Sequence, residues 1–101
     1  MTLSKSKKGR LIETKAEILF LEAGFEVFTN TAADGPADLV VWDGQTCYPI
    51  DTKKLSEFVK ADGSIGFSLK FPQVENVYYL GHYSGGWVWI SQDVPDALNI
   101  L

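Results

Sequence analysis

The sequence predicts an α/β (α+β) domain on a mixed sheet, from three observations. An amphipathic stripe runs near the N-terminus. Short runs rich in Val, Leu, Ile and aromatic residues follow, each bounded by Gly, Pro, Asn or Asp. Their order is helix, three strands, a connector and two strands, which suits a sheet with helix packed against it. The 101 residues, 46% of them apolar, fit the size of a single hydrophobic core, so one domain spanning 1–101 is expected.

The helix is expected over residues 9–23. Ile12, Ala16, Leu19, Phe20 and Ala23 recur at helical spacing and make one apolar stripe, and Gly24 is a natural stop. Glu13 falls on the flank of that stripe, where it can look sideways into a cleft. Phe25 to Thr29 reads as a short strand, and residues 30–37 read as a loop punctuated by Gly35-Pro36. Asp38 to Trp42 and Thr46 to Lys53 read as a hairpin turning at Asp43-Gly44. Pro49 within the return strand implies an edge position or a bulge. In the connector, Leu55 to Ala61 is compatible with two helical turns ended by Asp62-Gly63. Alternation of Ile65, Phe67, Leu69 and Phe71 predicts a strand after it. Val77 to Tyr83 and Trp87 to Ser91 read as strands joined at Ser84-Gly85-Gly86, and Asp93 to Leu101 as a short helix.

Composition narrows the function classes. No apolar run is long enough for a transmembrane helix, and Glu13, Lys15 and Glu17 interrupt any signal-peptide pattern, so an intracellular location is expected. Cys47 is alone, which leaves no disulfide framework and no zinc cluster. Charge is uneven: residues 1–10 hold four basic and no acidic side chains, leaving five basic and thirteen acidic in the rest. With a net charge of −4, contact with nucleic acid would have to be local. The basic positions available are Lys5, Lys7, Lys8 and Arg10, then Lys53, Lys54, Lys60 and Lys70. The bland reading of residues 4–10 is a solvated tail.

The chemistry-bearing residues converge on the hairpin. Asp51 and Lys53 are two apart on one strand and project to the same face. A turn near Asp43-Gly44 sets Asp38 nearly opposite Asp51 across the ladder. Two carboxylates that close repel, and a hard cation relieves the repulsion. Mg²⁺ takes oxygen ligands and keeps several waters, so Asp38, Asp51, the Thr52 carbonyl and Glu13 make a plausible ligand set. Lys53 is placed to stabilise developing charge or to orient a water. Taken singly, each residue has an ordinary explanation as turn, strand-face or helix-surface chemistry; together they fit one geometry. Asp43, Asp34 and Asp62 read as turn and loop residues. His82, the sole histidine, has no evident partner, and Trp42, Trp87 and Trp89 read as core or interface residues.

Asp38 followed by Asp51-Thr52-Lys53 resembles the signature of the PD-(D/E)XK nuclease superfamily. Lys8-Gly9-Arg10-Leu11-Ile12-Glu13 and Ala23-Gly24-Phe25-Glu26-Val27 are similar to the opening of archaeal Holliday-junction resolvases in that superfamily. Phe67-Ser68-Leu69-Lys70-Phe71-Pro72, Val77-Tyr78-Tyr79-Leu80 and Gly86-Trp87-Val88-Trp89-Ile90 look more like a branch of small endonucleases that includes an intron-encoded homing enzyme. The resemblance implies a restriction-endonuclease-like core, a mixed sheet flanked by helices. It also implies Mg²⁺-dependent DNA cleavage in which Mn²⁺ substitutes. Glu13 would be the helix glutamate, Asp38 the metal-bridging acid, Asp51 the second acid and Lys53 the catalytic lysine. Pro36 lies one residue early, Ala37 stands in its place, and the connector after Lys54 lacks a long helix.

The leading expectation is therefore a metal-dependent DNA endonuclease, acting at junctions or at a specific site, with DNA as partner. Cutting both strands implies a homodimer, for which the aromatic residues around Tyr78, Tyr79, Tyr83, Trp87 and Trp89 offer an apolar surface. Compact size suits a phage or mobile-element protein. The alternative is a catalytically inactive nucleic-acid-binding or assembly module that keeps the nuclease fold. A metal-free RNA endonuclease would want a histidine base, and His82 is poorly placed for that role.

Overall fold

The computed structural model describes residues 4–30, 35–68 and 71–101. Helix α1 (Lys5–Glu22) is capped by the Ser4 hydroxyl, which accepts from the Lys7 amide at 3.3 Å. The helix thus starts four residues before the expected position, and the basic segment is helical instead of a loose tail. It ends where predicted, with Gly24 at φ 95°. Among the described residues seven strands follow: β1 (Glu26–Thr29), β2 (Leu39–Trp42), β3 (Cys47–Lys54), β4 (Ser56–Val59), β5 (Ile65–Ser68), β6 (Tyr78–Tyr83) and β7 (Gly86–Trp89). A single 3-10 turn at Asp96–Leu98 replaces the expected C-terminal helix.

Five strands form one mixed sheet in the order β1-β2-β3-β6-β7, with β3 and β6 parallel and every other pair antiparallel. The alternation of β2 and β3 buries Leu39, Val41 and Ile50 beneath α1, where Ala16, Phe20, Phe25, Leu80 and Leu98 complete the core. Phe20 meets the Phe25 ring edge-on at 5.7 Å and Trp89 at 6.3 Å, and the Trp89 indole N–H donates to the Leu98 carbonyl at 3.1 Å. Leu98 therefore plugs the core, which is why the C-terminal segment needs only one turn of helix. Tyr79 is also buried, and Tyr78, Trp87 and Trp89 pack against the core, so most of the aromatic surface expected to be an interface faces inward.

Pro49 sits inside β3, opposite Val40 of β2. Amide directions alternate along a strand, so its missing N–H faces the β6 side. Pairing with β6 begins only at Ile50, and at Pro49 the strand is locally an edge, as the sequence requires.

The connector departs most from expectation. Residues 56–59 are a strand, not helical turns, because they pair with β5 as a separate two-stranded ribbon. The parallel crossover from β3 to β6 runs through this ribbon where a helix is usual. Leu55 anchors its exit: its amide donates to the His82 carbonyl at 2.9 Å, and its side chain fills the space where a Cβ on Gly81 would lie 2.5 Å from Leu55 Cδ1.

Candidate active site

The hairpin turn sets the geometry. Asp43 Oδ1 accepts from the Gln45 and Thr46 amides at 2.8 and 2.7 Å, which fixes the β2–β3 turn. The register that follows pairs Leu39 with Ile50, which leaves Asp38 just before β2 and Asp51 next along β3, close enough for their charges to interact. The Asp38 amide donates to the Ile50 carbonyl at 2.9 Å, which holds the acid at the mouth of the strand.

The Asp38 carboxylate is clamped by Thr52, whose amide and hydroxyl donate to Oδ2 at 2.7 and 2.9 Å. This clamp is not foreseen in the sequence reading, which gave Thr52 only a carbonyl role. A hydroxyl residue between Asp51 and Lys53 was the available signal. A strand residue's amide and carbonyl point to the same side, so the Thr52 carbonyl also faces the Asp38 side.

Asp51 is buried, at 7% exposure. Lys53 Nζ lies 3.1 Å from its Oδ2, yet no well-angled hydrogen bond reaches that buried oxygen. Burial, then the charge of Asp38, pushes the Asp51 carboxyl up to about 6, against the opposing pull of Lys53. Lys53 in turn sits over the Phe71 ring, 5.1 Å from its centroid, and Phe71 rests on Tyr79. Phe71 is a further residue that sequence reasoning did not assign to the site. Glu13 reaches the same cleft from α1, half-buried. Its carboxyl is raised, first by burial and then by the charge of Asp38.

Glu13, Asp38, Asp51 and Lys53 line one cavity of about 420 Å³, together with Lys8, Gly9, Ile12, Thr52 and Lys54. All four predicted catalytic residues are therefore brought together. Among the described residues, however, no three His, Cys, Asp or Glu side chains form a ready-made metal cage. Of the predicted basic contacts, Lys8 and Lys54 line the cavity, and Lys7 and Arg10 are exposed on the same end of α1. Lys5 lies in the first turn of α1. Lys70 and Asp34 lie outside the described residues. His82 stacks edge-on against Trp87 at 4.6 Å and does not line this cavity.

The donor chemistry suits a hard divalent cation. Two neighbouring carboxylates, one with a buried oxygen whose contact with Lys53 lacks hydrogen-bond geometry, suit a site that would hold Mg²⁺ by one or two carboxylates and leave its other positions to water.

No protein-family model matches the sequence, and no curated protein matches it. Among solved structures, the bacterial homing endonuclease I-Ssp6803I superposes with a TM-score of 0.65 over 98% of this chain and 87% of that one, at 12% identity. The chain shares that protein's fold; here it is a mixed five-stranded sheet with α1 packed against it.

Proposed function

We propose that this chain is a Mg²⁺-dependent DNA endonuclease of the PD-(D/E)XK type, with Mn²⁺ as a substitute metal. The observation that carries the reading is Asp51: a buried carboxylate facing Asp38 and touching Lys53, with an oxygen that lacks a hydrogen bond, at a cavity edged by lysines. The fold shared with a homing endonuclease supports the substrate class.

A bound divalent cation would polarise the scissile phosphate and lower the pKa of a coordinated water. Asp38 and Asp51 would hold it, with the Thr52 carbonyl as a neutral ligand and Glu13 reaching it directly or through water. Thr52 keeps one Asp38 oxygen engaged and so fixes the orientation of that carboxylate. Lys53 stabilises negative charge building on the phosphate, and its ammonium is held between Asp51 and the Phe71 ring. Lys7, Lys8, Arg10 and Lys54, with Lys5 and Lys70, would contact the phosphate backbone. Cutting both strands of a duplex would require two such sites, hence a homodimer.

The test is cleavage of plasmid, linear duplex, four-way junction, single-stranded DNA and RNA with Mg²⁺, Mn²⁺ or EDTA, beside Asp51→Asn. Metal-dependent cutting of DNA that Asp51→Asn abolishes is expected, and the preferred substrate separates junction from site specificity. A folded protein that cuts none of these with either metal would sink the reading. The second reading, an inactive module of the same fold that binds nucleic acid, is favoured by the lack of a preformed three-ligand cluster among the described residues.

A further inference from the structure

The β4–β5 ribbon has little to do with the core, yet it is held firmly at its base. Three contacts fix it there. Leu55 is buried against Gly81. Glu57 accepts from the Ser84 amide and hydroxyl at 2.8 and 3.0 Å. Phe67 packs edge-on against Tyr83 at 5.0 Å. At the tip, the Lys60 amide donates to the Ser64 carbonyl at 2.8 Å. An isolated two-stranded hairpin is marginal in water, so these anchors are what keep it in one orientation. Beyond them the ribbon stands in solvent: Phe58, Val59 and Ile65 are 48, 75 and 52% exposed.

The two faces differ. Register places Ser56, Phe58 and Lys60 of one strand on the same face as Ser68, Gly66 and Ser64 of the other. On that face the outer edge of the Phe58 ring lies over Gly66. A Cβ at Gly66 would sit 2.5 Å from Phe58 Cζ and 2.9 Å from Lys60 Cε. Only glycine leaves room for this, and the result is a thin face that carries hydroxyls, one ammonium and one ring edge. The ribbon's carboxylates are both engaged within the protein, Glu57 by Ser84 and Asp62 by the Ser64 amide and hydroxyl at 2.9 and 2.6 Å. Lys60 is the charged strand residue on this face. The ribbon also leaves the sheet directly after Lys53 and Lys54, at the cavity.

We infer that the β4–β5 ribbon is the element that reads a DNA groove beside the cleaved phosphate. This rests on the endonuclease reading. A twisted two-stranded ribbon fits the major groove, where hydroxyls and a lysine can hydrogen-bond base edges and apolar atoms can touch thymine methyls. The continuity from Lys53 through Lys54 to β4 carries groove contacts outward from the reacting phosphate along a single strand. This gives so small a protein a reading surface separate from its chemical site. Val59 and Ile65 occupy the opposite face and meet the groove wall or the sugars.

The experiment selects bound duplexes from a random DNA pool with the full chain in Ca²⁺. It then compares Ser56→Ala/Lys60→Ala and Gly66→Val with the wild type for affinity and base preference. Folding is checked by circular dichroism and thermal melting, self-association by light scattering, and chemistry by Mg²⁺-dependent hydrolysis of a nucleotide p-nitrophenyl ester too small to reach the ribbon. Both variants are expected to remain folded, keep the ester rate, lose about tenfold or more in affinity for the selected duplex and relax preference at one part of the footprint. Unchanged affinity and preference in a folded double variant overturns the inference. So does a loss of self-association with duplex affinity per subunit intact, which would make the ribbon a surface between copies. A wild-type chain that selects no duplex overturns both the ribbon and the endonuclease reading. One that selects duplex through the ribbon but hydrolyses neither DNA nor ester keeps the ribbon and removes the chemistry.

Discussion

Asp51 shows how one residue can be costly to the fold and useful to the site. Its carboxyl ordinarily titrates near 3.8 and is pushed to about 6 here by burial and by Asp38. The folded state therefore holds the proton more tightly than the unfolded chain. Well below pH 3.8 both states carry it; between about 3.8 and 6 only the folded state does, so stability falls as pH rises through that window and stays lower above it. Asp51→Asn removes the charge while keeping the shape. Without metal at neutral pH it is expected to raise the stability by about 1–3 kcal/mol and to abolish cleavage. Adding Mg²⁺ should raise the wild-type melting temperature but not that of the variant, and wild-type metal binding should weaken as pH drops through 6. A variant that melts lower than wild type without metal would show that Asp51 is held by bonds that favour its charged form.

At the scale of elements, the site was legible and the crossover was not, for one physical reason. Asp43-Gly44 is a local turn signal, and a hairpin's register follows from its turn, so the sequence alone brings Asp38 and Asp51 to one end of the hairpin. The helical stripe of Ile12, Ala16 and Phe20 is equally local, and those three residues are the ones buried. Its first turns were missed because Lys7, Lys8 and Arg10 oppose the helix dipole and the segment reads as tail. Leu55 to Val59 carries no decisive period, and its structure comes from partners elsewhere: β5, Ser84 and the gap above Gly81. That account makes Leu55 the pivot of the crossover. Leu55→Ala leaves a cavity over Gly81 and is expected to cost about 2–4 kcal/mol, whereas Val59→Ser, at 75% exposure, should stay within about 0.5 kcal/mol. Urea unfolding of both variants measures the contrast. Equal small losses would mean that the ribbon is not anchored at its base.

For the whole molecule, the question is how an acidic chain approaches a polyanion. With a net charge of −4 the protein as a body is repelled by DNA, so attraction must come from segregated charge. The segregation is concentrated at one end of α1, where no acidic residue occupies the first turn and Lys8 reaches the cavity rim. Cations at a helix N-terminus oppose the macrodipole, a cost of about 0.3–1 kcal/mol each in exposed positions. The arrangement is thus unfavourable for the helix and favourable for a phosphate, which would meet lysines and dipole together. Replacing Lys7, Lys8 and Arg10 by Gln should therefore leave the melting temperature equal or higher while weakening duplex binding. If all three touch phosphates, the slope of log affinity against log salt should become shallower by about 2–3. The measurement is duplex binding in Ca²⁺ over a salt series, for wild type and triple variant, with melting curves at each salt. An unchanged slope would remove α1 from the DNA contact and leave the approach to Lys53, Lys54 and the ribbon. A lowered melting temperature would show that the cations instead stabilise the helix through neighbours of their own.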